Sequence, residues 1–152
     1  MFPDKIAKGT LDFLEGVCKV TPYTDGTYEG LKASGERAGV DISVALPAVT
    51  KVSQISSINR FASSYLEGPV ISFGGIHPES EKYKQELQEI KSLGMKGIKL
   101  HPDYQEMYFN DIRAGKRLVS YASELGLITV VHAGRDPKCR RTFTARLRWR
   151  WN

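Results

Sequence analysis

The chain has three histidines, His77, His101 and His132, and each follows a short apolar run. His77 comes after Ile71-Ser72-Phe73-Gly74-Gly75-Ile76, His101 after Gly97-Ile98-Lys99-Leu100, and His132 after Ile128-Thr129-Val130-Val131. If these runs are parallel strands, all three imidazoles stand at strand C-terminal ends, where α/β barrels keep their reactive groups. A neutral imidazole ligates zinc and similar divalent ions, and it also moves protons near pH 7. Several gathered in one mouth suit metal-assisted hydrolysis. His77 and His101 each precede a proline, Pro78 and Pro102, which holds the histidine's backbone extended and ends the strand there. A lone histidine at a strand end is more often a rim residue bonded to backbone. Three in equivalent positions raise the functional reading above that one.

Lys99 stands two residues before His101 and therefore on the same side of its strand. It is a candidate substrate-binding residue, pairing with an anion. The alternative is a stem packed on the sheet with its ammonium led out to solvent. Arg135, close after His132, is the second candidate for holding a substrate carboxylate. Glu79, Asp103 and Asp136 fall in loops after strands, where charges are most often merely solvated.

These side chains need a scaffold, and the sequence supplies a repeating strand-helix pattern. Residues 42–46 (ISVAL), 70–73 (VISF), 97–100 (GIKL) and 127–131 (LITVV) are short, apolar nearly throughout and bounded by Gly, Pro or Asp. Such runs suit parallel strands covered on both faces. Helical patterns lie between them. Asp4 is the expected cap of a first helix, with Leu11, Leu14 and Cys18 on one face. Thr27 caps a second, with Tyr28, Leu31, Gly35 and Ala38. Ile55, Ile58, Ala62 and Tyr65 mark a third. Ser80 caps a fourth, with Tyr83, Leu87 and Ile90 inward and Gly94 as its stop. Asp111 caps a fifth, with Leu118, Ala122 and Leu125 inward and Gly126 after it.

The strands start 28, 27 and 30 residues apart, and a (β/α)8 barrel allots about 31 residues to each unit. The expected fold class is α/β, a partial (β/α)8 (TIM) barrel of about four and a half βα units. An open doubly wound sheet can show the same spacing. The leading helix has no strand before it, so its partner strand is expected upstream of the chain.

The net charge of +5 is unevenly placed. Residues 137–152 (PKCRRTFTARLRWRWN) hold six basic residues, no acidic one and both tryptophans; without them 16 basic residues face 17 acidic ones. This break divides the chain into a barrel segment, 1–136, and a basic, disordered tail, 137–152. The two cysteines, Cys18 and Cys139, have no C-x-x-C spacing. A reduced, cytoplasmic protein is the expectation. No apolar run spans a bilayer and no signal peptide is seen, so no membrane partner is expected.

The runs GMKGIKLHPDYQEMYFND and ASELGLITVVHAGRDP, with DISVALPAV and ISFGGIHPES before them, resemble the amidohydrolase-related branch of the amidohydrolase superfamily. The resemblance covers about residues 1–137. It implies a barrel that binds one or two divalent metals, often zinc, and hydrolyses C–N or C–O bonds or decarboxylates related acids of small-molecule size. It implies His132 as a metal ligand, His101 and His77 as catalytic candidates shaping the pocket, and no carbamylated role for Lys99. The branch also uses an H-x-H strand, a histidine on strand six and an aspartate on strand eight, and none of these is present. The chain is therefore expected to be a fragment with a displaced start and a misjoined tail.

A second reading is a catalytically inactive α/β interaction module, with exposed sheet edges that favour a homo-oligomer. In a third, the Arg- and Trp-rich tail binds nucleic acid or a membrane surface. The expectation here is against a nucleic-acid partner.

Overall fold

The structure is a computed structural model, and it describes residues 1–108 and 111–133. It is mixed α/β. In chain order the elements are α1 (Asp4–Cys18), α2 (Tyr28–Ala38), β1 (Ser43–Ala45), α3 (Ile55–Ala62), β2 (Val70–Ser72), β3 (Gly74–Gly75), α4 (Tyr83–Ser92), β4 (Gly97–Leu100), α5 (Arg117–Glu124) and β5 (Ile128–Val131).

Every strand pairing is parallel. β1 pairs β2, with Ser43 opposite Val70 and Ala45 opposite Ser72. β4 lies between β3 and β5, with Ile98 opposite Gly74 on one side and Thr129 on the other. β2 and β3 are successive stretches of one extended segment, interrupted at Phe73, whose N–H still donates to the Ala45 carbonyl at 3.0 Å. Neighbours in the sheets are thus neighbours in sequence, joined through helices, as parallel pairing requires. The described strands make one two-stranded and one three-stranded sheet.

The core lies between the sheets and the helices. Ile98 and Leu100 of β4 pack with Leu87 and Ile90 of α4, Leu118 and Ala122 of α5, and Ile55 and Ala62 of α3, all buried. Burying each large aliphatic side chain contributes about 1.5–3 kcal/mol. By alternation, Gly97 and Lys99 occupy the opposite face of β4, with Ile128 and Val130 beside them on β5. That face is thinly covered: Ile128 is 58% exposed, and Val44 of β1 48%. The apolar strand residues expected to be covered on both sides are covered fully on one.

Thr27 caps α2 as its sequence predicts, its hydroxyl accepting from the Gly30 N–H at 3.0 Å. Gly94 and Gly126 take positive φ after α4 and α5, where they stop those helices. Other expectations are corrected. Asp4 is a first-turn residue of α1 behind Pro3 and makes no side-chain cap bond. Ala7 is the buried residue of α1, while Leu11, Leu14 and Cys18 are half-buried and Ile6 and Phe13 exposed. Ser80 caps a turn rather than α4: its hydroxyl accepts from Lys82 N–H, and the helix starts at Tyr83. Asp111 accepts from Lys116 N–H through its carbonyl, a five-residue step that opens a π turn over Ile112–Lys116 and delays α5 to Arg117. Residues 134–136 and the basic tail lie outside the described residues.

Candidate functional site

The strand register assembles the site. One step past Leu100–Val131, His101 comes opposite His132, and His132 N–H donates to the Leu100 carbonyl at 3.0 Å. The two imidazoles stack with centroids 4.1 Å apart and planes 9° from parallel. Tyr104 stacks on His101 at the same separation, 7° from parallel. Two rings each parallel to a third must take opposite faces, so Tyr104, His101 and His132 form one three-ring stack. Two steps past Gly75–Lys99, the same counting sets His77 level with His101. Three histidines distant in sequence thus end adjacent chain segments at one height.

Gln105 holds these ends together. It is buried, and its Oε1 accepts from the His101 N–H at 2.9 Å. Its Nε2 donates to the carbonyls of Val49 at 2.9 Å and Ile76 at 2.7 Å. One side chain therefore ties the segments after β1, β3 and β4. Asn59 of α3 does similar work lower down, donating to the Gly75 carbonyl at 3.0 Å and accepting from the Gly75 N–H at 2.7 Å. Arg117 of α5 donates to the Pro78 and Ser80 carbonyls and lies over the Tyr83 ring, pinning the loop after His77.

His77 is buried. Its Nδ1 accepts from Glu79 N–H at 3.3 Å, and the ring also bonds the Thr50 backbone. Burial lowers its pKa below the usual histidine value, against smaller raising effects from the Glu79 charge and the Thr50 bond. The ring opens on a cleft of about 370 Å³ that Thr50, Glu79, Tyr104 and Gln105 also line. Lys99 is buried, has no ion-pair partner among the described residues, and is pushed below the usual lysine range by burial. Asp103, expected as a solvated loop charge, is instead buried in the turn after His101, at 5% exposure. Glu79 is exposed. Arg135 and Asp136 lie outside the described residues.

A metal centre is tested by the donors. Zinc needs nitrogen donors about 2.0–2.1 Å from one point, with lone pairs converging on it. Stacked imidazoles aim their lone pairs along parallel planes, so His101 and His132 do not converge. Among the described residues no group of three or more His, Cys, Asp and Glu side chains is placed to hold an ion. The described residues therefore do not fit a metal by themselves. His132 Nε2 is the exception in kind: it is sealed from solvent and has no hydrogen-bond partner among the described residues.

Gln105, Asn59 and Tyr104 escape a reading by residue type. Amides and a turn tyrosine carry no spacing signal, and their importance arises only where backbone groups from other strands converge on them. Neither family models, nor curated proteins, nor solved structures yield a match to this chain.

Proposed function

We propose that the chain is a partial (β/α)8 barrel whose strand-end row forms part of the reaction site of a metal-dependent hydrolase of the amidohydrolase type. The sequential parallel order of the strands and the motifs GIKLHP and VVHAG support this reading. The single observation that carries it is His132 Nε2, which stands at a strand end sealed from solvent and without a hydrogen-bond partner among the described residues. His101 is the proton-transfer residue: it is buried, and its ring is held in a rigid stack at the strand end. His77, whose ring nitrogens bond backbone, shapes the cleft. Arg135 and Lys99 are the anion-binding candidates for a small acid or amide substrate. Zinc is the ion the resemblance implies, and the described residues offer His132 Nε2 as a single donor without completing a site. When bound, it would supply a Lewis acid and an activated water.

Elemental mass analysis of the purified, desalted full chain tests this. One divalent metal per chain, lost in His132→Ala, supports it and directs a screen of amide, ester and carboxylic-acid substrates. A folded chain without metal overturns it and favours a second reading, a non-catalytic α/β module. The exposed strand residues Val44 and Ile128, with Ile42 just before β1, favour that alternative and a self-associating chain.

A further inference from the structure

The His77 ring bridges two walls of the cleft. Its Nδ1 accepts from the Glu79 N–H at 3.3 Å. An accepting Nδ1 carries no proton, so in the neutral ring the proton is on Nε2. Nε2 is then the nitrogen that donates to the Thr50 backbone. The Thr50 N–H is already given to Gln54 Oε1, which leaves the Thr50 carbonyl as the acceptor. Both bonds thus need one tautomer of an uncharged imidazole, held at 5% exposure.

Adding a proton affects the two bonds unequally. Imidazolium donates from both nitrogens and accepts at neither. The Thr50 bond survives, whereas the Glu79 N–H faces another donor and loses its acceptor. Glu79 from the same segment, Lys51 after β1, and Tyr104 and Glu106 after β4 line the cleft with His77. His101 stands level with it on the next strand end, and Arg117 reaches the Pro78 carbonyl from α5. Of these charges, that of Glu79 acts on the ring and favours its protonation. Glu79 is exposed and only two residues away in the chain, so its carboxylate is available to turn inward.

We propose that His77 and Glu79 form a pH-sensitive latch on the cleft wall, in which acid makes the ring exchange the Glu79 N–H for the Glu79 carboxylate. The proton comes from solvent and takes the Nδ1 lone pair; no covalent bond between heavy atoms changes. The carboxylate leaves solvent for the ring and the wall after β3 turns with it. Gln105 still ties the Val49 and Ile76 carbonyls, one residue before Thr50 and His77, so the strand ends stay in place. Burial lowers the basicity of the ring, so the exchange falls below the ordinary pH 6.5. The latch needs neither metal nor substrate, and its failure is separate from that of the hydrolase reading.

The test is nitrogen-15 NMR of the folded full chain, titrated from neutral pH down through the histidine range. The His77 ring should show the Nε2–H tautomer at neutral pH and one protonation step below it. Hydrogen exchange at the Glu79 amide, corrected for its intrinsic pH dependence, should rise over that step on the order of tenfold against the Gly75 amide, which Asn59 holds. Glu79→Gln keeps the backbone N–H and removes the charge, so it should lower the His77 midpoint by about 0.5 pH unit. That variant alters an exposed side chain and leaves the fold intact. A neutral ring protonated on Nδ1, a Glu79 amide whose exchange ignores the His77 step, or a midpoint unmoved in Glu79→Gln overturns the proposal.

Discussion

The imidazole of His101 lies face to face with that of His132, 4.1 Å between centroids, and the backbone bond from His132 N–H to Leu100 fixes the pair. The stack is therefore an extension of the β4–β5 ladder rather than a loop contact. Aromatic pairs of this kind contribute about 0.5–1.5 kcal/mol beyond their burial. His101→Phe should keep the stack and hold the thermal midpoint near that of the parent. His101→Ala should lose both ring contacts, to Tyr104 and His132, and cost about 2–4 kcal/mol by denaturant unfolding. Equal stability of the two variants would show that the stack contributes nothing.

Gln105 makes three backbone bonds from one buried amide. Gln105→Ala leaves the Val49 and Ile76 carbonyls and the His101 N–H short of a partner, at about 1 kcal/mol or more each. A loss of roughly 3 kcal/mol in urea unfolding is expected. Gln105→Glu should be at least as damaging, because a carboxylate cannot donate to the two carbonyls. A loss below about 1 kcal/mol in the alanine variant would mean that water replaces the amide.

Gly97 tolerates no side chain. A Cβ there would stand 2.4 Å from the Ile128 carbonyl oxygen and 2.4 Å from Phe73 Cε2. The first obstacle is strand backbone that cannot swing aside. Gly97→Ala should therefore part β4 from β5 and cost about 1–3 kcal/mol. Slowed amide exchange at the His132 N–H in that variant, where acceleration is expected, would contradict this.

The pH dependence follows from His77, whose folded pKa is lowered, chiefly by burial, from the ordinary 6.5. A histidine that is less basic when folded binds fewer protons than in the unfolded chain. Its contribution is therefore complete above about pH 6.5 and falls as pH drops from there toward the folded value. Chemical denaturation across that window should show the slope, and His77→Gln should flatten it. An unchanged slope in the variant would assign the dependence to another group.

Much of the scaffold is legible from residue order. Apolar runs bounded by Gly and Pro locate the strands because each strand buries a face against the helices, and positive-φ glycines end helices because other residues pay sterically there. Residue type also marks His77, His101 and His132, whose place after each strand is a one-dimensional fact. The misreadings fall where a local signal competes with a tertiary one. Asp111 has the side chain of a cap, but the chain between β4 and α5 takes a wide turn instead. Asp103 has the composition of a solvated loop residue, but the turn after His101 folds inward.

By itself the sequence determined the α/β alternation and the place of each histidine just after an apolar run, since both depend on order and spacing along the chain. Only the tertiary structure decided that His101 and His132 meet as parallel rings rather than converging donors. Only it made Gln105 the tie among three strand ends and left Lys99 buried with no ion-pair partner among the described residues. Those outcomes depend on register, which sets one strand against the next by backbone hydrogen bonds and leaves no trace in the identity of any single residue.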